Sequence, residues 1–243
     1  MARLAAVTVA SLAMAVMVSA QALQKPRFVP PRLKTAELPP LPAPNIAGGG
    51  EVLIEALVDP SGAVLRPVIV RGTPPYTQFV LDVVPRWRFD PAHDIDYKGL
   101  DTTVAMPVTI FAIYRPPVLM NAPTIGEPPK DWGKLSGEAA HPTATAMPNY
   151  PPQARDGGVV LMEVSLDEAG GVTDTRGFGS AGGFEGASRQ ALASWSFKGG
   201  SYRARPVPSN AYVIFGFRVP VGLAPSGPGA AMPPKSFGIL SFR

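Results

Sequence analysis

Two histidines, His93 and His141, are the only imidazoles in a chain of 243 residues that contains no cysteine. Neither has a second histidine at ligand spacing. A metal site would need carboxylates gathered from distant segments, so both read as surface histidines and no metal is expected. The lack of cysteine excludes disulfide frameworks, thiol catalysis and thiolate metal sites, and it leaves export open. Gly177-Phe178-Gly179-Ser180-Ala181-Gly182 has the Gly-x-Gly-x-x-Gly spacing with which a strand-to-helix turn approaches a dinucleotide pyrophosphate. Here the motif follows a hairpin strand, opens no βαβ crossover, and has no acidic residue about twenty positions beyond it. It therefore reads as a flexible loop, and no cofactor is expected. Ser180 is one residue out of register for the Gly-x-Ser-x-Gly of hydrolases. Glu55 and Glu163 stand singly, which gives no acid–base pair, so the chain is not expected to be an enzyme.

The two glutamates belong to a repeat that organises the chain. Gly50, Val52, Leu53, Glu55, Asp59, Gly62, Val64, Trp87 and Phe89 recur without a gap as Gly158, Val160, Leu161, Glu163, Asp167, Gly170, Val172, Trp195 and Phe197. A repeat of this length means one structural unit used twice. In each copy an alternating apolar run predicts a strand. Asp59-Pro60-Ser61-Gly62 and Asp167-Glu168-Ala169-Gly170 predict tight turns into a returning strand. Phe79, Val80, Val83, Val84 and Trp87 share one helical face, as do Ala187, Ala191, Leu192 and Trp195 in the second copy. The segments Thr102–Tyr114 and Tyr212–Val219 are rich in β-branched and aromatic residues and close each unit as a third strand. The expected fold class is therefore α+β: two tandem β-β-α-β units, each a three-stranded antiparallel sheet packed on one helix. Trp87, Phe89, Trp195 and Phe197 form the expected structural core. Glu55 and Glu163 project opposite to the apolar strand residues and read as a solvated sheet face.

Composition agrees with short strands joined by turns and linkers. The chain is 46% apolar, with 30 Pro and 25 Gly, too many for helix-rich packing. A net charge of +4 without a cluster of Lys or Arg gives no basic stripe, so nucleic acid is not an expected partner. After Arg3, the uncharged stretch Leu4–Ala20 leads into Ala20-Gln21-Ala22, which reads as a cleaved signal peptide and places the protein in the periplasm. The alternative is a retained inner-membrane anchor with the protein on the periplasmic face. Membrane contact is expected only in that case. The resulting division is a signal peptide over 1–22, a Pro-rich extended tether over 23–49, a first unit over 50–117, a linker over 118–146, a second unit over 147–221 and a Gly/Pro tail over 222–243.

The tandem pattern resembles the C-terminal domain of TonB. The second unit carries the fuller match, from Pro148-Asn149-Tyr150-Pro151 and Ala154 through the Gly-x-Val hairpin to Trp195-Ser196-Phe197 and the final strand. The first lacks the Tyr-Pro entry but keeps Arg86-Trp87-Arg88-Phe89-Asp90-Pro91-Ala92. The resemblance implies a protein-binding module that captures a partner peptide by strand addition, because an open sheet edge is a template for another chain's strand. In TonB that peptide belongs to an outer-membrane transporter, which would connect the chain to energy-coupled transmembrane transport. Carried over, the partner-binding edge is Tyr212, Val213, Ile214, Phe215, Gly216, Phe217 and Arg218, with Thr103–Tyr114 as a weaker edge. No histidine lies between Leu4 and Ala20, unlike the membrane helix of TonB, so a module in a soluble periplasmic protein is the closer expectation. The rival is a structural envelope protein without a transport role. Its two units would cap each other's edges, or cap them with the tail Phe237–Phe242.

Overall fold

The computed structural model describes residues 27–43, 48–114, 137–180 and 183–219. The N-terminal stretch Leu4–Ala20, most of the expected linker and the tail lie outside the described residues. The chain begins with two short strands, β1 (Arg27–Val29) and β2 (Arg32–Thr35). The first unit follows as β3 (Gly50–Val58), β4 (Val64–Arg71), α1 (Tyr76–Val83), β5 (Arg88–Asp90), β6 (Ala92–Ile95), β7 (Asp101–Val104) and β8 (Met106–Tyr114). Two more short strands, β9 (Gly137–Glu138) and β10 (His141–Ala144), precede the second unit. That unit comprises β11 (Gly158–Leu166), β12 (Val172–Ser180), α2 (Phe184–Leu192), β13 (Ser196–Lys198), β14 (Gly200–Tyr202), β15 (Arg205–Val207) and β16 (Ser209–Phe217).

The α+β expectation of two separate three-stranded sheets is corrected here. The chain is mostly β, its two α-helices are only 8 and 9 residues long, and the long strands form a single six-stranded sheet in the order β12-β11-β16-β8-β3-β4. The seam is the parallel pair β16–β8, running from Ala211↔Thr109 to Gly216↔Tyr114. Every other neighbour in this sheet is antiparallel. The order reads the same from either end when the two units are exchanged, so the halves are related by a pseudo-twofold axis along the seam. Such an axis turns one half over, and the helices accordingly lie on opposite faces. Val52, Ile54 and Ala56 of β3 pack with α1 and Trp87, and that core also takes in Leu161 and Tyr212 from the second unit. Val160, Met162 and Val164 of β11 pack with α2 and Trp195, joined by Leu53, Phe111 and Ile113 from the first. Each unit thus covers the face that the other leaves bare.

The repeated turn residues have a packing reason. Gly62 and Gly170 adopt φ of +82° and +90°, where a side chain is strained, and a Cβ there would run into the carbonyl oxygens of Phe89 and Phe197 respectively. The turn glycine and the Phe of Trp-x-Phe recur together because the backbones touch. Asp59 Oδ1 accepts bonds from the Ser61 N–H, the Ser61 hydroxyl and the Ala63 N–H. These bonds, the Ser61 hydroxyl first, hold the Asp59 carboxyl below its ordinary 3.8. A depressed pKa contributes stability above the unfolded value that is lost as pH falls through the folded one. Asp59→Ala should therefore lower stability by about 1 kcal/mol near neutral pH. Urea titrations repeated at lower pH should show the difference vanish below the carboxylate range.

The Pro-rich lead is no free tether over its described part. β2 pairs with β5, β1 pairs with β6, and Leu33 is buried against the core beneath α1. Residues 27–43 form a strap across one face. Residues 137–147 cross the other, with β10 on β13. Among the described residues no helix is long and apolar enough to cross a membrane.

Candidate functional site

The seam decides what the expected edge strand can do. β16 pairs with β11 from Gly158↔Phe217 to Leu166↔Ser209, and on its other side with β8. Tyr212, Val213, Ile214, Phe215 and Phe217 are all buried. Gly216 is packed so closely on the Tyr114 ring that a Cβ would overlap it. Arg218, just past the strand, donates from Nη1 to the Gly48 carbonyl at 3.1 Å. No partner strand can reach this backbone without opening the sheet, so the residues expected to bind a partner hold the two units together instead. The weaker edge, Thr103–Tyr114, fails for the same reason from Thr109 onward. Trp87, Phe89, Trp195 and Phe197 are buried core; the tryptophans lie just past the helices, and the phenylalanines lie on β5 and β13.

Glu55 and Glu163 correct a second expectation. They do point away from their own unit's helix, but that face is covered by the other half, and they are 3% and 1% exposed. Buried carboxylates must find partners. The Glu163 carboxylate accepts the Leu33 N–H at 3.0 Å and faces Arg176 at 3.2 Å and Arg32 at 3.6 Å. The Tyr212 hydroxyl lies 2.9 Å from the Pro31 carbonyl and 3.3 Å from Glu163. Burial first, and then the neighbouring Glu163 charge, push the Tyr212 phenol well above its ordinary value, so it stays a neutral donor. Asn210 adds a bond from Nδ2 to the Pro31 carbonyl at 2.9 Å. This cluster is a latch that holds the first strap on the sheet.

The second strap has a latch at the matching place, built from different residues. His141 Nε2 stands 3.3 Å from Glu55, and the Thr109 hydroxyl donates to the Ala140 carbonyl at 2.6 Å. His141 is therefore buried, contrary to expectation, whereas His93 is a partly exposed partner of Asp101 at 2.8 Å. Glu163→Ala should cost about 2 kcal/mol, because it leaves the buried Leu33 N–H unpaired while both arginines still reach water. Thermal melts should show the loss, and proteolysis within residues 27–43 should accelerate.

The Gly-x-Gly-x-x-Gly stretch is not the expected loop over its described part: Gly177–Ser180 ends β12. A Cβ at Gly177 would meet the Glu185 carboxyl, which places an acidic group where a phosphate would need to sit. Among the described residues no group of His, Asp and Glu is arranged to hold a metal ion.

With both closing strands internal, β4 and β12 are the outer strands of the sheet among the described residues. They differ in chemistry. β12 reads Val-Thr-Asp-Thr-Arg-Gly-Phe-Gly-Ser, a polar and glycine-rich edge. β4 exposes Leu65, Val68 and Ile69 at 43%, 44% and 46% and also carries devices that usually blunt an edge, a proline and register shifts. Pro67 within β4 and register shifts against β3 interrupt its ladder, leaving the three apolar side chains as its outward signal. The run Val64–Val70 is more apolar than a half-covered edge strand requires, and that excess was the available hint in the sequence. Compared with known proteins, the chain matches no family model and no curated protein.

Proposed function

We propose that this chain is an exported, non-enzymatic binding module of the cell envelope, distantly like the C-terminal domain of TonB, that takes up an extended partner segment by strand addition at β4. The observation that carries the reading is the partial exposure of Leu65, Val68 and Ile69 on β4, an outer strand of the sheet among the described residues. An added strand supplies backbone hydrogen bonds and shields such side chains at once. The buried polar side chains Glu55, Thr109, His141 and Glu163 lie at the contacts that hold the straps. A protein or peptide of the envelope is the partner class, with an outer-membrane transporter as one member, and the stretch Leu4–Ala20 supports export to the periplasm.

A photo-crosslinking residue at Val68 in the native envelope should yield a defined adduct with an extended segment of another protein. The same residue at Thr173 on β12 should not. Equal capture at both positions, or at neither, sinks the reading. The structural alternative draws on a different observation: the parallel seam between β8 and β16 is the mutual capping that such a protein would use. It predicts no adduct at Val68.

A further inference from the structure

We propose that the seat of the second strap, over Glu55, is a peptide-binding site that residues 137–147 fill as a placeholder. Its ligand is an extended segment of another protein, with arginine and then a non-proline apolar residue where His141 and Pro142 lie. The site is separate from β4, and the two readings stand or fall independently.

The internal repeat extends to the straps and shows how such a segment is read. The Tyr212 hydroxyl, opposite Glu163, donates to the Pro31 carbonyl. Thr109, opposite Glu55, donates in the same way to the Ala140 carbonyl. Trp87 Nε1 donates to the Glu37 carbonyl and Trp195 Nε1 to the Ala146 carbonyl. Leu33 lies opposite Phe89, and Pro142 opposite Phe197. Pro31, Leu33 and Glu37 thus correspond to Ala140, Pro142 and Ala146, and the same alignment sets Arg32 against His141. Both seats hold their strap largely through its backbone, the mode of recognition in which one extended segment can replace another.

The two seats are not filled equally well. Glu163 Oε2 accepts the Leu33 N–H at 3.0 Å. Its Oε1, without an aligned hydrogen bond among the described residues, still faces Arg176 at 3.2 Å and Arg32 at 3.6 Å. At the Glu55 seat the matching backbone donor is missing, because Pro142 has no N–H. Val68 stands opposite Glu55 on β4 where Arg176 stands opposite Glu163 on β12, and His141 takes the place of Arg32. Glu55 is 3% exposed. Among the described residues its Oε2 accepts no hydrogen bond, although His141 Nε2 lies 3.3 Å away, and the buried His141 Nδ1 is also without a hydrogen-bond partner. A buried carboxylate oxygen left without a donor is costly. A segment with a backbone N–H at the Pro142 position supplies that donor. An arginine just before it brings a guanidinium to Glu55, as Arg32 does to Glu163. Tethering holds the strap at an effective concentration on the order of millimolar, so a segment with merely equal contacts loses to it. The misfit at Glu55 therefore makes the seat selective as well as exchangeable.

The test uses the full chain and a fluorescent peptide with the sequence Pro30–Leu38, which carries Arg32-Leu33 in the required register. Anisotropy should show saturable binding, with amide exchange raised in 137–147 and unchanged in 27–43. The same peptide carrying Arg32→Ala, or Leu33→Pro, should bind about tenfold more weakly. In the full chain, the paired substitution His141→Arg and Pro142→Leu gives the strap the missing donor and cation. It should weaken binding of the unaltered peptide by about tenfold as well. No binding at millimolar peptide overturns the proposal. Raised exchange in 27–43 also overturns it, since the peptide would then be replacing its own copy. Equal binding by the three peptides, or to the two chains, is equally fatal. Should the substituted chain not fold, the peptide series alone decides.

Discussion

Val213→Pro is expected to abolish folding or to cost about 4 kcal/mol or more, since it removes a ladder hydrogen bond and strands its acceptor in a dry interior. Val213 sits opposite Met162 on one side and Phe111 on the other, and it is fully buried. The chain's own prolines mark the contrast. Pro67 lies on the outer strand β4, where sheets tolerate proline. Pro107 precedes Thr109, where β8 begins to be paired on both sides. From Ser209 to Phe217 there is none. Denaturant titration and the yield of soluble protein measure the effect. A variant that folds with less than about 1 kcal/mol lost would mean that β16 is a sheet edge after all.

Trp87→Ala should destabilise the protein by about 4 kcal/mol, the range for deleting a buried tryptophan, and its damage should cross between the units. The indole is fully buried. Its ring meets Tyr212 of the second unit edge-on at 6.3 Å, and its Nε1 donates to the Glu37 carbonyl of the first strap at 2.9 Å. Trp195 makes the matching bond to the Ala146 carbonyl at 2.9 Å. Two independent domains would respond with a biphasic melt in which the second unit keeps its own midpoint. A shared sheet predicts one cooperative transition, shifted as a whole. Calorimetry of the wild type and the variant distinguishes these outcomes.

What the sequence disclosed was local. The hairpins, the Asp-x-x-Gly turns and the existence of two helices follow from alternation, helical spacing and turn chemistry, but the helices end at Val83 and Leu192, so Trp87 and Trp195 lie beyond them instead of on their faces. The seam was harder to see because strand pairing between units is a backbone event with no residue code. It did leave a trace. Val108–Tyr114 and Ala211–Phe217 are nearly continuous apolar runs, the mark of strands buried on both faces, whereas two separate half-covered sheets would show alternation. Taking Glu55 and Glu163 as solvated followed from assuming one bare face per sheet. Once a pseudo-twofold turns the second unit over, the same alternation puts both carboxylates inside. Proline content marked residues 23–49 as an extended tether, whereas the described part, 27–43, is a strap paired through β1 and β2. That Leu33 would be buried and Pro31 would accept bonds from Asn210 and Tyr212 depends on residues some 180 positions away, beyond the reach of local pattern. The apolar excess of β4 was visible, but without the strand order nothing distinguished it from core.

The two units close on each other through β16 and β8, which leaves β4 and β12 as the outer strands of the sheet among the described residues. Residue-resolved amide exchange across Ala211–Gly216 tests this closure most directly. A strand paired on both sides has its N–H groups engaged, so the six amides from Ala211 to Gly216 should exchange slowly and with similar protection. An edge strand has every second N–H unpaired, and fast exchange at alternate positions from Ala211 to Gly216 would contradict the account.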